Sequence, residues 1–204
     1  DRIALDPVRT RIQEMWVTNT QVNFCAKAYP TVPSGHPDAP ALSVLAAFLR
    51  NGFLHRTIRE QGGAYGGGAS HDANIAAFRF FSYRDPRLVE TLDDFDASIA
   101  WLLETQHEQL ALEEAILSVM ASLDKPGSPA GEAKRDFHER LFGRTAEHRR
   151  ILRAGIVGTT LDDLRLVAET YLKPELASTA VVTHTAGAEI VAERQLPLTR
   201  QDLL

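Results

Sequence analysis

The fold and the candidate function both depend on residues 49–68, which read LRNGFLHRTIREQGGAYGGG. An apolar helix containing Leu45 and Leu49 leads into this stretch and becomes charged. Gly62 and Gly63 then end the helix, since glycine readily takes the positive φ found at helix C-termini. Five of the seven residues from Gly62 to Gly68 are glycine, and an extended segment begins near Tyr65. The stretch predicts a sharp helix-to-strand turn.

Two side chains on either side of this turn carry chemistry. Arg59 brings a permanent cation, and Tyr65 brings a phenol hydroxyl six residues later. One interpretation is purely structural, with Arg59 stabilising a helix C-terminus and Tyr65 packing as a strand aromatic. In the other, Arg59 holds a peptide carbonyl or carboxylate and Tyr65 donates to a developing oxyanion, while the glycine backbone pairs with an extended peptide. Composition leaves both open.

Composition describes a globular protein. The chain has 204 residues, 44% hydrophobic and 24% charged, with a net charge of -5. Such a charge, without clustered lysine and arginine, argues against nucleic-acid binding. The single cysteine, Cys25, cannot form an internal disulfide, which favours a cytoplasmic or organellar protein over a disulfide-rich secreted one. No apolar run is long enough to span a membrane. Because the sequence begins at Asp1, we expect it to be a fragment or processed form.

The order of predicted elements indicates an α+β fold. Alternation from Met15 to Ala28 predicts a central antiparallel strand, and residues 65–83 predict a hairpin. Between these lies the buried helix from about residue 39. Five further helices follow. One has Asp85 as N-cap and a core-facing stripe, one bears Ala133, Phe137 and Leu141, and one is opened by Thr160 with Asp163. The stripe consists of Leu88, Leu92, Phe95, Ile99 and Leu102. With a last strand at residues 178–184, we expect an antiparallel sheet covered on one face by helices. Residues 1–204 then form a single module, with 187–204 as a loosely held tail.

Common catalytic motifs are missing from the sequence. None of the seven histidines forms an H-x-x-E-H or H-E-x-x-H pair, so we expect no metal to be bound by this chain. No serine lies in a G-x-S-x-G setting, and the glycine run lacks the G-K-[ST] ending of a phosphate loop.

Two motifs resemble a known family. The run from Leu54 to Gly66, followed by the run from Phe80 to Pro86, is similar to the C-terminal half of pitrilysin/insulinase zinc metallopeptidases, closest to the presequence-protease branch. There, I-R-E-x-G-G-A-Y-G and S-Y-R-D-P recur at this separation. The similarity extends more loosely from about Glu14 to His184.

The resemblance implies a role for this chain in a larger enzyme. Members enclose a chamber between two halves, with zinc in the N-terminal half to polarise the peptide carbonyl and activate water. On the matching positions, Tyr65 is implied to bind the tetrahedral intermediate and Arg59 the substrate backbone. Gly62, Gly63, Ala64 and Gly66 are implied to contact the peptide. The expected partner is a zinc-bearing N-terminal half, on the same polypeptide or as a separate subunit, and the isolated chain is expected to be inactive. The alternative is a non-catalytic scaffold or peptide-binding subunit of the same fold.

Overall fold

The chain folds around one six-stranded sheet in a computed structural model, which describes residues 10–203. The strands are β1 (Gln13–Val17), β2 (Asn23–Pro30), β3 (Gly66–Asp72), β4 (Ala77–Asp85), β5 (Ser178–Thr183) and β6 (Thr199–Asp202). Their order across the sheet is β3-β4-β2-β5-β1-β6. The pairs β3–β4, β4–β2 and β2–β5 are antiparallel, whereas β1 pairs in parallel with β5 and β6. The predicted α+β class is confirmed.

The alternating segment from Met15 to Ala28 is two strands, so the prediction of one continuous strand was wrong. Residues 18–22 separate β1 from β2, and Thr20 accepts and donates hydrogen bonds with Val22 in that connection. Only β2 is a central antiparallel strand. A period of two gives the side-chain alternation, but it does not show where the chain leaves one strand and enters another at a different place in the sheet.

Seven α-helices lie within the described residues. Their bounds are α1 (Ala39–Leu49), α2 (Val89–Glu104), α3 (Gln109–Leu123), α4 (Pro129–Leu141), α5 (Ala146–Val157), α6 (Leu161–Tyr171) and α7 (Thr185–Glu193). A π-helical segment, Arg50–Gln61, continues α1 without a break, and a short 3-10 turn covers Pro174–Leu176.

Helices cover the inner face of the sheet. Along β4, Phe78, Phe80 and Ser82 are buried, while the intervening Arg79, Phe81 and Tyr83 are exposed. This is the pattern of an antiparallel sheet with one wet face. Ten of the eleven residues of α1 are buried, and this helix packs against β3, α3, α5 and α6. Helix α1 is therefore the centre of the core.

The apolar residues of two helices are buried to different degrees. At α2 the predicted stripe is confirmed, since Leu88, Leu92, Phe95 and Leu102 are buried and Ile99 is partly buried. In α4 no residue is buried, and Phe137 and Leu141 are 63% and 65% exposed. A helical period marks an apolar face, but whether another element covers that face is decided by the connections on either side.

The C-terminal residues form regular structure where the composition predicts a loosely held tail. Helix α7 buries Gly187, Ala188 and Val191, and β6 adds an edge strand beside β1. The amide of Leu203 donates to the carbonyl of Val17 at 2.9 Å. These contacts attach the segment up to residue 203 to the sheet.

Candidate functional site

Arg59 lies in the last turn of the π-helical segment Arg50–Gln61. This segment is anchored by Leu54 and Ile58, both fully buried, while Arg59 faces outward. Its guanidinium is 3.4 Å from the ring of His55, whose other nitrogen lies 3.3 Å from the Glu60 carboxylate. Twelve residues of π-helix are unusual, since this winding normally appears as single turns, often at functional sites. The sequence predicted a helix here but gave no sign of its winding.

The turn between Arg59 and Tyr65 is fixed by backbone hydrogen bonds. The amides of Gly63 and Ala64 donate back to the carbonyls of Arg59 and Ile58, each at 3.1 Å, and the Tyr65 amide donates to the Arg84 carbonyl at 3.3 Å. These three amides are therefore engaged within the chain. Sequence reasoning treated the glycine backbone as open to a ligand, and that was wrong for these donors.

Gly62 and Gly63 are glycine for different reasons. Gly63 has φ +78°, the left-handed region that the sequence predicted. Gly62 has φ -81° and ψ -20°, which any residue can adopt. A Cβ on Gly62 would lie 2.0 Å from Nη2 of Arg87 and 2.4 Å from its Cζ. The lack of a side chain at Gly62 lets the Arg87 guanidinium lie directly against the turn.

Arg87 connects the turn to two helices. Its Nη2 donates to the carbonyl of Thr57, in the π-helical segment, at 3.1 Å and to Asp94, in α2, at 2.9 Å. The Arg87–Asp94 pair is only about a quarter exposed, so its attraction is screened less than that of a surface pair. Arg87 thus holds the end of the helix that carries Arg59 and the turn that carries Tyr65. Sequence reasoning missed this residue, and its only signal was its place directly after the S-Y-R-D-P motif.

Asp85 fixes the backbone of Arg87 through a hydrogen bond. The fully buried carboxylate accepts from the Arg87 amide at 3.0 Å and from the Thr91 hydroxyl at 2.8 Å. Asn23 donates to the carbonyls of Asp85 and Arg87 at 3.1 and 3.2 Å. The prediction that Asp85 is a helix N-cap was wrong, because α2 begins at Val89 with Leu88 as the cap residue. Asp85 ends β4 and fixes the chain where it turns toward α2.

Tyr65 is exposed but bordered on two sides. Its side chain is 65% exposed, its ring centroid lies 5.6 Å from that of Tyr83, and Cζ of Arg84 lies 5.6 Å from its ring centroid. A Cβ on Gly66 would lie 2.5 Å from the ring of Tyr83, so a glycine there lets Tyr83 reach across β3 toward Tyr65. Within residues 10–203 the Tyr65 hydroxyl forms no hydrogen bond. The phenol is held through its ring, and its hydroxyl stays open.

Arg59 and Tyr65 lie on either side of the turn, as the sequence predicted, and both are exposed. Their side-chain contacts lead to different neighbours, Arg59 to His55 and Tyr65 to Tyr83 and Arg84. Across residues 10–203, no hydrogen bond or ring contact joins the two. Gly66, Gly67 and Gly68 lie in β3, the outermost strand of the sheet on this side.

The described residues contain neither a metal-binding group of side chains nor a membrane-spanning helix. Among residues 10–203, no three histidine, cysteine, aspartate or glutamate side chains are grouped so that they could hold a metal ion. The described residues therefore do not fit a zinc site. Nor does any helix in this range combine the length and hydropathy that crossing a bilayer requires.

Solved structures of other proteins share this fold. A protease from Helicobacter pylori matches with a TM-score of 0.70 at 17% identity, over 83% of this chain and 43% of that one. Pitrilysin matches with a TM-score of 0.60 at 16% identity, over 84% of this chain and 19% of that one. At such identities the likeness shows the architecture alone.

Sequence comparison identifies the branch. The family described as PreP C-terminal domain matches residues 13–186. The mitochondrial presequence protease of Kluyveromyces lactis is 39% identical over 163 residues, which are 79% of this chain and 16% of that protein. That of Drosophila melanogaster is 39% identical over 164 residues, again 79% and 16%. This chain belongs to the PreP C-terminal domain family. The predicted resemblance is confirmed, and the chain spans about one sixth of the length of these relatives.

Proposed function

We propose that this chain is the C-terminal, non-zinc domain of a zinc metalloendopeptidase that degrades unstructured peptides. The observation that carries the proposal is Tyr65, whose hydroxyl is open while its backbone and ring are fixed. A purely structural tyrosine has no need of such a setting on an exposed turn. A preorganised donor is effective in catalysis because it needs no rearrangement when charge develops.

Each proposed site residue has a defined role. The Tyr65 hydroxyl donates to the oxyanion of the tetrahedral intermediate, and Arg59 donates to a backbone carbonyl of the substrate. Arg59 can do so because its only side-chain hydrogen bond within residues 10–203 is the long contact with His55. Gly62, Gly63, Ala64 and Gly66 contact the bound peptide beside Tyr65.

The outer edge of β3 is where an extended peptide would add a strand. Since β3 pairs only with β4 in the described sheet, its other edge presents backbone donors and acceptors. Gly66 begins this edge directly after Tyr65. A peptide paired there would pass close to the phenol. This geometry suits an unfolded substrate, because a folded protein cannot offer an isolated strand.

Zinc belongs, in this proposal, to another part of the enzyme. The relatives are about six times longer than the matched region, which leaves room for a zinc-bearing half on the same polypeptide. A separate zinc-bearing subunit is the other arrangement. An H-x-x-E-H motif upstream in the same reading frame would support the first, and one in a neighbouring gene the second. Several relatives are named as mitochondrial, and we propose an organellar location on that basis.

The test is Tyr65→Phe in the full-length protein, with cleavage of an unstructured peptide as the assay. Loss of one oxyanion donor should lower kcat by about 10²- to 10³-fold, with a much smaller change in KM. Tyr171→Phe is the matched control, because it removes a hydroxyl that bonds Asp38 at 2.6 Å, far along the chain from the turn. It should leave kcat unchanged.

Other outcomes have clear meanings. An unchanged kcat in Tyr65→Phe would remove Tyr65 from the mechanism. Full-length protein that binds peptides but has neither zinc nor peptidase activity would instead support a scaffold or peptide-binding subunit. The isolated chain should be inactive with or without added zinc.

A further inference from the structure

Arg84 interrupts the regular pairing of β4 beside Tyr65. Along β2 and β4 the register runs from Asn23 opposite Asp85 to Cys25 opposite Ser82. Tyr83 and Arg84 therefore both lie opposite a single residue of β2, which is a β-bulge. Bulges re-aim side chains and are frequent next to active sites. This one turns the chain at the residue that faces Tyr65.

The backbone of Arg84 is held in an unfavourable conformation. Its φ is +50°, in the left-handed region that costs an L-residue free energy. The chain uses glycine for the same purpose at Gly63. Arg84 is exposed, so packing in the core does not explain why a long side chain occupies this position. Glycine would adopt this conformation without strain. The presence of arginine at this exposed position therefore indicates a functional role for its side chain.

Arg84 contacts Tyr65 twice. Its carbonyl accepts the Tyr65 amide at 3.3 Å, and its Cζ lies 5.6 Å from the centroid of the phenol ring, within the range of a cation–π interaction. Over residues 10–203 its guanidinium forms no hydrogen bond and no ion pair. Its positive charge is thus available to the ring of Tyr65.

We propose that Arg84 is a positioning residue for Tyr65, holding the phenol ring through a cation–π contact and, as a nearby cation, strengthening the hydrogen bond that the hydroxyl donates to the developing oxyanion. This inference rests on the proposed function of Tyr65. Tyr83 borders the same ring on another side, so the phenol is restrained between an aromatic ring and a cation. The bulge and the strained backbone place the guanidinium there.

The test compares variants of the full-length enzyme in peptide cleavage. Arg84→Met keeps an unbranched side chain and removes the charge, and it should lower kcat by about 2- to 30-fold, the range of a cation–π contact, with KM little changed. Arg84→Lys should recover part of the loss. Arg79→Met is the matched control, since Arg79 is exposed on the same strand and pairs with Asp72. It should leave kcat unchanged.

Arg84→Gly separates the side chain from the backbone. Glycine accepts φ +50° without strain, so the melting temperature should hold or rise, while kcat falls as in Arg84→Met. A lower kcat in a protein that is no less stable excludes misfolding as its cause. Full activity in Arg84→Gly would overturn the proposal.

A double-mutant cycle with Tyr65→Phe shows whether Arg84 acts through the hydroxyl. If it does, Arg84→Met lowers kcat in the wild-type background and has no further effect in Tyr65→Phe. An equal loss in both backgrounds would mean that Arg84 acts on the substrate directly, and the proposal would be wrong. If only Arg84→Met is without effect, this inference fails and the proposed function stands. If Tyr65→Phe alone is without effect, both fail.

Discussion

Gly62→Ala should destabilise the protein through Arg87 and not through the backbone. The φ and ψ of Gly62 suit alanine, so conformation alone predicts a gain of about 0.4–1 kcal/mol from a less flexible unfolded chain. The new Cβ would instead lie 2.0 Å from Nη2 of Arg87. The guanidinium must move away, and Nη2 carries both of its hydrogen bonds, to Thr57 and Asp94.

The size of the effect follows from those two bonds. Loss of the charged bond to Asp94 costs about 1.5–3 kcal/mol and loss of the bond to the Thr57 carbonyl about 1 kcal/mol. After the unfolded-state gain, the expected net loss is about 1.5–3.5 kcal/mol. In a chain of this size that corresponds to a fall in melting temperature of about 3–14 °C. Calorimetry or urea denaturation of the purified chain would measure it.

A double-mutant cycle isolates the contact with Arg87. Arg87→Ala alone removes the same two hydrogen bonds and is itself destabilising, but it clears the space beside Gly62. In that background Gly62→Ala should be neutral or stabilising. Gly63→Ala is the control, because its φ of +78° costs about 1–2 kcal/mol whatever occupies position 87. Gly62→Ala that does not destabilise the wild-type protein, or that costs as much without Arg87 as with it, would show that the Arg87 contact is not the cause.

Two further predictions concern the core and the response to pH. Phe95 is fully buried and stacks on Phe80 with ring centroids 5.5 Å apart. Phe95→Ala should therefore lower the free energy of unfolding by about 3–5 kcal/mol, measured by urea denaturation. A loss below about 1 kcal/mol would contradict this packing. Burial lowers the pKa of His71 from its usual value of 6.5, over the opposing influence of nearby carbonyls and Asp72. As the pH falls below about 6.5, the unfolded chain binds more protons than the folded one, so the free energy of unfolding falls until the pH reaches the lowered pKa of His71. His71→Gln should therefore reduce the slope of the free energy of unfolding against pH, measured by denaturation from pH 7 to 5. An unchanged slope would show that His71 does not contribute to it.

Local sequence signals were reliable wherever a feature depends on neighbouring residues. Thr160 and Asp163 predicted the start of α6, and the structure shows the reciprocal capping box between them. The end of the long helix at Gly62 and Gly63 was equally visible, since the left-handed conformation at Gly63 follows from the residue type. Such features need no information about distant parts of the chain.

Features that depend on distant residues were missed or misread. The sequence does not show that apolar Phe137 and Leu141 of α4 stay exposed, because no described element covers them. Asp85 has the sequence context of an N-cap, yet it bonds Arg87 and Thr91 instead, because α2 begins three residues after Pro86. Nothing in the sequence indicates that Arg84 sits at a bulge, since the bulge is defined by the register of β4 against β2.

The sequence by itself determined the family, the α+β class, the helix-to-strand turn and the two residues on either side of it, Arg59 and Tyr65. These follow from residue types at fixed spacing along one stretch of chain. The tertiary structure decided how that turn is held. Residue types do not encode the approach of Arg87 to Gly62, of Tyr83 to Gly66 and of Arg84 to the ring of Tyr65, because each joins segments about 17 to 25 residues apart whose contact exists only once β3, β4 and the long helix have packed together.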